Sequence, residues 1–334
     1  MRYDVAVIGA GPAGSFAAEK LSSLGHKTII IDPCDKKKIC AGILTAQYAR
    51  EYKVDDAYVE RELKGVRLSF RDVRAEITYK NSVEYSIDRE AFDSFNLDEA
   101  VNSGAELRKD MVMSLEENGS SLTIRTTKEN VLADYAIIAS GVSDLSSLCG
   151  GAKKYAYCVQ QKKNVEPDDY FEMNLMHSGY SWSAPKKNHV LTGTSSLNGY
   201  PDIPGEKGLI PLEPAKKTFS DRFLLAGDAA GFVSPFEGEG IFYARRSGEI
   251  AAEILSGAIS GNNALRSYEK RWKKEFDFST LARLALLLSN DMVLETFVCE
   301  IRDNGRFNKL VEAILTKEKK VQIKDISTLI KTLI

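Results

Sequence analysis

The first fourteen residues constrain the fold of this chain more than any other stretch. Residues 1–8 have the pattern of a short buried strand, which runs into Gly9-Ala-Gly11-Pro-Ala13-Gly14 and a helix that extends to about Leu24. In such a turn the first glycine permits the tight bend, the second lets a pyrophosphate approach the backbone, and the third lets the helix pack on the strand. The N–H groups that open the helix attract an anion.

A second strand, Lys27–Ile31, ends at Asp32. This acid lies close to the offset of about 20 residues at which a carboxylate hydrogen-bonds an adenosine ribose. The stretch therefore predicts a dinucleotide site built on a βαβ unit. An ordinary βαβ unit without a ligand is the alternative interpretation.

Composition excludes several classes of protein. The formal net charge of −2 and the pI near 6.1 argue against nucleic-acid binding, whose basic surface would raise both. No apolar stretch is long enough to cross a bilayer, and no signal peptide precedes the first strand, so we expect a cytoplasmic protein. The scattered cysteines form no zinc-like pairs, so we expect mostly free thiols and no metal site. They are Cys34, Cys40, Cys149, Cys158 and Cys299.

The middle of the chain alternates between two kinds of pattern. Residues 65–70, 74–79 and 82–87 alternate apolar and polar side chains, which predicts an antiparallel sheet. A helix follows with Asp88 as its N-cap. Arg89 lies in the first turn, where a cation is unfavourable, and this indicates an anionic partner; a solvated surface arginine is the alternative.

Later segments return to the parallel-sheet pattern. Residues 133–139 and 222–226 predict buried parallel strands, and the second ends in Gly227-Asp228 before a helix at about residues 241–256. Short strands fill residues 155–197, where Tyr180 and Trp182 share one face. Taken alone, these two aromatic residues indicate ordinary cross-strand packing.

The rest of the chain has a helical pattern, at residues 265–298, 308–316 and 323–333. We expect its apolar face, which includes Leu281 and Leu284, to pack against the body of the protein. Docking on a membrane surface is the alternative. Lysines would assist it at Lys317, Lys319, Lys320 and Lys324.

An extended FAD accounts for the separate features together. Its pyrophosphate would lie at Gly9–Gly14 and its adenosine ribose at Asp32, and Asp228 would hold the ribityl hydroxyls or, through water, the phosphates. The helix that begins after Gly240 would direct its N–H groups at the pyrimidine edge of the flavin, where negative charge collects on reduction. Arg89 would find its anion in the same arrangement.

At this point the sequence resembles the geranylgeranyl reductase family, within the flavoproteins that are similar to p-hydroxybenzoate hydroxylase. The resemblance extends from Met1 to about Lys273. Its motifs are Gly9-Ala-Gly-Pro-Ala-Gly14, Cys40-Ala41-Gly42, Ile87-Asp-Arg89-Glu-Ala-Phe-Asp93, Tyr180-Ser-Trp182-Ser-Ala-Pro185-Lys186, Gly227-Asp-Ala-Ala-Gly-Phe-Val-Ser-Pro235 and Gly238-Glu-Gly240-Ile241. Ala184 departs from the family, which usually has a bulky aromatic residue there.

The resemblance implies reduction of isoprenoid C=C bonds in archaeal lipids, prenylated quinones or pigments, with hydride from reduced flavin N5. It implies catalytic roles for Cys40, Tyr180 and Trp182, and a substrate wall of Tyr180, Trp182 and Pro185. The electron donor would be NAD(P)H or a small redox protein such as ferredoxin, and contact with a membrane would be peripheral. The implied cofactor-binding residues are Gly9, Gly11, Ala13, Gly14, Asp32, Cys40, Ala41, Gly42, Arg89, Val112, Gly227, Asp228, Gly238, Gly240 and Ile241.

Together these observations predict an α/β (α+β) protein with a Rossmann-like FAD-binding domain, an inserted antiparallel-sheet substrate domain and a helical C-terminal region. The predicted FAD domain comprises residues 1–64, 88–150 and 215–260, the substrate domain residues 65–87 and 151–214, and the helical region residues 261–334. Alternative functions are a flavin monooxygenase or halogenase and, outside catalysis, a flavin electron carrier or a lipid-binding flavoprotein.

Overall fold

The computed structural model describes residues 2–35, 38–81, 83–177, 179–262 and 264–318, together with Leu333. Over these residues the chain is a mixed α/β protein with helices at its C-terminal side, which confirms the predicted fold class. No helix among them is long and apolar enough to cross a membrane.

The strands are numbered in chain order. They are β1 (Arg2–Ile8), β2 (Thr28–Ile31), β3 (Ile43–Leu44), β4 (Val59–Leu63), β5 (Gly65–Phe70), β6 (Val73–Thr78), β7 (Glu84–Ile87), β8 (Glu106–Arg108), β9 (Val112–Asn118), β10 (Ser121–Thr126), β11 (Val131–Ile138), β12 (Tyr155–Lys163), β13 (Tyr170–Met176), β14 (Gly179–Pro185), β15 (Val190–Ser196), β16 (Glu206–Pro211) and β17 (Phe223–Leu225).

The helices are numbered in the same way. They are α1 (Pro12–Ser23), α2 (Ala46–Glu51), α3 (Arg89–Asn102), α4 (Asp144–Leu148), α5 (Ile241–Ile259), α6 (Ser267–Glu275), α7 (Phe278–Leu287), α8 (Asp291–Asp303) and α9 (Gly305–Leu315), with a short 3-10 helix at Gly227–Ala230.

The first sheet carries the predicted dinucleotide fold. Its strand order is β8-β2-β1-β11-β10-β9, and β17 pairs with the carboxyl half of β11. Strands β8, β2, β1, β11 and β17 are parallel, whereas β10 and β9 form an antiparallel hairpin. Parallel strands that share a direction also share a carboxyl edge, where such folds bind ligands. The turns after β1, β2, β11 and β17 therefore meet at one edge.

The second sheet is largely antiparallel, in the order β16-β12-β15-β14-β13-β5-β6. Only the pairing of β13 with β5 is parallel among its described strands. The registers place Leu68 of β5 on the same face of this sheet as Trp182 of β14, because both pair with Met173. Helix α8 packs against β5 and β6, and Trp182 and Ala184 lie in an apolar cluster with Cys158.

A small third sheet corrects one prediction. The stretch at residues 82–87 was expected to join the antiparallel sheet, but β7 pairs instead with β3 and β4, in the order β3-β7-β4. These strands are short, and Ile87 N–H donates to Gly42 O at 2.8 Å. The third sheet therefore lies beside the Cys40 loop. The predicted domain boundaries stay a prediction.

The C-terminal region packs against the body of the protein. Leu281 and Leu284 are buried, and Phe232 is enclosed by the aromatic rings of Trp272, Phe276 and Phe278. The helical pattern at residues 265–298 is divided into α6, α7 and α8, because the chain leaves the helical conformation at Phe276 and a new helix begins after Asn290, whose side chain caps α8.

Lys317 does not support the alternative of docking on a membrane surface. Its side chain is only 13% exposed and pairs with Glu237. Lys319, Lys320, Lys324 and the helical pattern at residues 323–333 lie outside the described residues, except Leu333.

Candidate active site

The glycine turn after β1 has the geometry that a phosphate-binding turn requires. Gly9 has φ +107°, and a Cβ at Gly14 would lie 1.9 Å from Gly9 O. At Gly11, by contrast, a Cβ would meet no described atom within 4 Å. Gly9 and Gly14 therefore close the turn on itself, while Gly11 borders open space at the start of α1.

Two helices present free N-termini to this edge. Neither α1 nor α5 has a side-chain cap or an acidic residue in its first turn. In contrast, α2, α3, α8 and α9 are capped by Thr45, Asp88, Asn290 and Asn304. Uncapped N–H groups and the positive end of a helix dipole suit an anionic or electron-rich ligand.

Asp32 lies at the end of β2, next to the glycine turn. Its Oδ2 accepts a hydrogen bond from Ala10 N at 2.8 Å, and its Oδ1 accepts one from Cys34 N at 2.6 Å. The half-buried carboxylate thus holds the turn after β1 against the end of β2. Its predicted contact with a ribose stays a prediction.

The Gly227-Asp228 segment lies beside the first turn of α1. A Cβ at Gly227 would be 2.9 Å from Ala13 Cβ, and one at Gly240 would be 3.5 Å from Asp228 Oδ1. Asp228 has a partner that was not predicted from the sequence. Lys38 Nζ lies 2.7 Å from Asp228 Oδ2. The sequence shows that the loop around Lys38 is basic, but it does not show that Lys38 contacts a residue 190 positions away.

Arg89 has an anionic partner inside its own helix. Its Nε donates to Asp93 Oδ1 at 2.9 Å, and the side chain is only 13% exposed. Burial opposes the charge, but Asp93 and the neighbouring Cys40 outweigh it and raise the pKa of Arg89. Burial also raises the pKa of Asp93. The sequence predicted an anionic partner for Arg89, and Asp93 is one such partner, whereas contact of Arg89 with the cofactor stays a prediction.

Lys186 fixes the Cys40-Ala41-Gly42 loop, a role that sequence analysis missed although the residue lies in a quoted motif. Its Nζ donates to Ile87 O at 2.8 Å and lies 3.5 Å from Gly42 O. The side chain is 2% exposed, and Glu60 Oε2 is 3.7 Å away. Burial lowers the pKa of Lys186. The buried ammonium therefore ties β14 to the loop and to β7.

Tyr180 and Trp182 form the aromatic wall expected of β14. Their ring centroids are 5.7 Å apart, and a Cβ at Gly238 would lie 2.5 Å from Tyr180 Oη. Burial raises the pKa of Tyr180, with smaller contributions from Cys158 and Cys40. Trp182 packs on Gly193, and its Nε1 has no hydrogen-bond partner among the described residues. The wall thus reaches the loop that precedes α5.

The apolar cluster around this wall extends to the Cys40 loop. It contains Trp182, Ala184 and Cys158, with partly buried neighbours that include Ala41 and Ile43. Ala184 is fully buried, so the small residue is enclosed among these side chains. Burial raises the pKa of the Cys158 thiol to about 11, so this thiol stays neutral at physiological pH.

The remaining predicted residues lie at two ends of this region. Pro185 closes β14 beside Val190, and Ile241 begins α5. Val112 is buried at the start of β9, close in the chain to Asp110, whose N–H donates to Asp32 O. Their contacts with a cofactor or substrate stay predictions.

A large cleft lies away from the aromatic wall. It encloses about 570 Å³. Charged residues dominate its lining, and Arg61 and Lys64 both pair with Asp169. Such a surface does not suit a hydrocarbon chain. Among the described residues no cluster of His, Cys, Asp or Glu could hold a metal ion, and the five cysteines are free thiols.

Comparison with known proteins defines the family. The model for pyridine nucleotide-disulphide oxidoreductases matches residues 3–178 of the 334. The chain belongs to this oxidoreductase family. The match covers the glycine turn, Asp32, Cys40 and Arg89, whereas the aromatic wall, Gly227-Asp228 and the N-terminus of α5 lie beyond it.

Curated relatives of this oxidoreductase confirm its resemblance to the geranylgeranyl reductases. A digeranylgeranylglycerophospholipid reductase of Methanothrix thermoacetophila is 27% identical over 95% of this chain and 93% of its own length. A chloroplastic geranylgeranyl diphosphate reductase of Oryza sativa subsp. japonica is 29% identical over 83% of this chain and 72% of its own.

Solved structures share the fold of this oxidoreductase. A geranylgeranyl bacteriochlorophyll reductase-like protein of Thermoplasma acidophilum has a TM-score of 0.76 at 24% identity, covering 98% of this chain and 96% of its own. A mutant of the halogenase PltM in complex with FAD has a TM-score of 0.67 at 17% identity, covering 94% and 82%. With the family match, the open glycine turn and the free helix N-termini, the chain is an FAD-dependent oxidoreductase.

Proposed function

We propose that this oxidoreductase saturates C=C bonds in isoprenoid chains of lipids or prenylated quinones. One observation carries the proposal: the aromatic wall of Tyr180 and Trp182 meets the loop before α5 at Gly238. That loop opens the helix expected to face the flavin. A hydrocarbon chain on the wall would therefore lie beside the flavin, in surroundings from which water is largely excluded.

The names of the curated relatives support the same substrate class. They include reductases of digeranylgeranylglycerophospholipids and of geranylgeranyl diphosphate. The charged cleft near Arg61 is the wrong environment for such a chain, whereas the cluster around Trp182 and Ala184 is apolar.

FAD, once bound and reduced, supplies a hydride to one carbon of the double bond. The chain's own residues have three tasks. The turn at Gly11 and the N-terminus of α1 would bind the pyrophosphate, and the N-terminus of α5 would stabilise negative charge on the flavin ring. Tyr180 and Trp182 hold the alkene in position, because an unactivated C=C bond offers little charge for the protein to polarise.

A proton must reach the second alkene carbon. Cys40 is the candidate donor, because its thiol is half-buried and adjoins Arg89. Arg89 would stabilise the thiolate that remains after transfer, and solvent would then return the proton to sulfur. Lys186 holds the loop that carries Cys40 in place.

The test is product analysis with the FAD-loaded protein, a digeranylgeranyl lipid and excess dithionite under anaerobic conditions. The proposal predicts a product heavier by two hydrogen masses for each saturated bond. A fully saturated lipid of the same head group is the control and should be recovered unchanged. Recovery of the unsaturated lipid without added hydrogen would contradict the proposal.

Aerobic reactions with NAD(P)H distinguish the alternative enzymes. A monooxygenase would add the mass of one oxygen to an aromatic substrate, and a halogenase would add a halogen only when halide is present. Comparing NAD(P)H with reduced ferredoxin as donor in the same lipid assay would identify which of them reduces the flavin.

A further inference from the structure

A cluster of buried charged residues lies behind the loop that precedes α5. It consists of Glu84 from β7, Glu237 and Glu239 from the loop, and Lys317 from the end of α9, and it is here called the Glu239 cluster. The mechanism above uses none of these side chains. Three carboxyl groups around one ammonium are unusual in a protein interior, because burial penalises charge.

Glu239 connects the two segments expected to contact the flavin. Thr45 Oγ1 donates to Glu239 Oε1 at 2.5 Å, and Thr45 follows the Cys40-Ala41-Gly42 loop by three residues. In the loop itself, Ser234 N–H donates to Glu239 O at 2.8 Å, and Gly238 N–H donates to Ser234 O at 2.9 Å. The neighbouring glycines reach Tyr180 and Asp228. One carboxyl thus links both sides of the predicted flavin site.

The second oxygen of Glu239 is an independent sign of function. Glu239 is 8% exposed, and its Oε2 has no hydrogen-bond partner among the described residues. A buried carboxylate oxygen without a partner is costly, whereas a neutral carboxyl group tolerates burial better. Because Thr45 donates to Oε1, Oε2 is the oxygen that would carry the proton.

Lys317 is held in place by an unusual backbone. Its φ is +54°, a left-handed conformation that non-glycine residues seldom adopt, and Arg50 donates to the carbonyl oxygens of Thr316 and Lys317 at 3.0 and 2.9 Å. This conformation directs the ammonium to Glu237. Strained residues of this kind persist where the surroundings fix them, often at functional sites.

We propose that Glu239 and Lys317 are positioning residues that brace residues 234–240 and set the reduction potential of the bound flavin through the charge of the Glu239 cluster. This inference rests on the proposed function only in placing the flavin beside Gly238–Ile241. It requires no isoprenoid substrate. The C-terminal helices thereby contribute to the redox site through Lys317.

The protonation states of Glu84 and Glu239 determine whether the cluster raises or lowers the reduction potential of the flavin. Burial, followed by the charge of Glu237, raises the pKa of Glu84 to about 7 and that of Glu239 to about 8. At pH values below these two pKa values, the opposite charges of Glu237 and Lys317 balance each other. Above them the cluster gains negative charge behind the flavin loop, which disfavours added negative charge on the flavin. Tyr79 and Tyr243 also face the cluster. The charge of Glu312 acts on Tyr79, and the charges of Asp277 and Glu51 act on Tyr243.

The experiment measures the flavin reduction potential by anaerobic dithionite titration with an indicator dye, from about pH 6 to about pH 9.5. Two electrons come from dithionite and the protons come from solvent. For Glu239→Gln we expect the wild-type potential at the acidic end and a higher potential above about pH 8, because the amide cannot ionise. Coincident or parallel curves over the whole range would overturn the inference.

The bracing role has a separate readout. Lys317→Met should increase hydrogen exchange in residues 234–240 and lower the potential at alkaline pH, and Lys317→Arg should restore both. Lys309→Met, on the exposed side of α9, and Glu117→Gln, in the β9–β10 hairpin, are the controls and should change neither quantity. An unchanged exchange rate in Lys317→Met would contradict the bracing role.

These measurements need no lipid, so the two proposals can fail separately. If wild-type protein saturates isoprenoid chains but the variants keep the wild-type potential, only the role of the Glu239 cluster is wrong. If the potentials shift as expected but lipids are not reduced, only the proposed substrate is wrong.

Discussion

The ammonium group of Lys186 lies 2.8 Å from the carbonyl oxygen of Ile87, and the lysine side chain is 2% exposed. This contact joins the sheet that carries the aromatic wall to β7, and Ile87 N–H in turn donates to Gly42 O in the loop that carries Cys40. The nearest counter-charge is Glu60, at 3.7 Å, with a smaller contribution from Asp88, and the main-chain carbonyl groups of Ile87 and Gly42 lie within hydrogen-bonding distance of the ammonium.

Lys186→Met should therefore destabilise the protein and loosen the Cys40 loop. The carbonyl group of Ile87 would lose its lysine donor, at a cost of about 1–3 kcal/mol for a buried group left unsatisfied, whereas Gly42 O keeps the N–H of Ile87. Urea unfolding measures the change. Lys187→Met is the matched control, because Lys187 is exposed, and should alter the free energy of unfolding by less than about 0.5 kcal/mol. Equal effects of the two variants would refute the role of Lys186.

Two glycine substitutions should separate folding from cofactor binding. In Gly14→Ala the new methyl would lie 1.9 Å from Gly9 O, so we expect a loss of more than about 4 kcal/mol in stability. In Gly11→Ala the methyl meets no described atom, so the fold should keep its stability to within about 1 kcal/mol.

The same Gly11→Ala methyl would occupy the space assigned to the pyrophosphate. FAD affinity should therefore fall at least about tenfold, or 1.4 kcal/mol. Flavin fluorescence titration measures the affinity, and thermal unfolding of the FAD-free protein measures stability. Undiminished FAD affinity in a folded Gly11→Ala protein would place the pyrophosphate elsewhere.

Trp182→Leu should impair turnover without impairing cofactor binding. The shorter side chain leaves part of the wall unfilled, so the alkene is held less well, and we expect kcat/KM to fall by about tenfold or more, equivalent to 1.4 kcal/mol. Tyr157→Leu on the opposite face of the second sheet is the control. A variant with wild-type turnover would remove Trp182 from the substrate site.

Glu239→Gln should change how stability depends on pH. The folded pKa of about 8 lies above the ordinary value of 4.5, so between these values the folded state binds more protons than the unfolded state. Stability contributed by this site is therefore full below about pH 4.5 and is lost as pH rises toward about 8. The variant should lose less stability than wild type over that interval. Thermal melts across the range measure the difference, and parallel profiles would contradict it.

The parts of the structure that local chemistry specifies could be predicted from the sequence. The turn from Gly9 to Gly14 depends on backbone space, and Asp88 caps α3 through a side chain one residue from the helix. The alternation that placed Tyr180 and Trp182 on one face also depends only on neighbouring residues. The residues that define such patterns lie within a few positions of one another in the sequence.

Contacts between distant segments could not be predicted in this way. Lys186 meets Ile87 across 99 positions, and Lys317 meets Glu237 across 80. Lys317 also begins a basic stretch that is typical of an exposed surface, so its burial had no local signal. The two-residue strand β3 was too short to give a pattern, which is why its sheet with β7 was missed.

The most direct test of the proposed function is a single turnover. FAD-loaded protein would be reduced with one equivalent of dithionite under anaerobic conditions and mixed with a digeranylgeranyl lipid, while the flavin absorbance and the lipid mass are followed together. We predict that the flavin is reoxidised as the lipid gains two hydrogen atoms, one C=C bond for each flavin. Flavin that stays reduced with the lipid but reoxidises rapidly with oxygen would contradict an isoprenoid reductase.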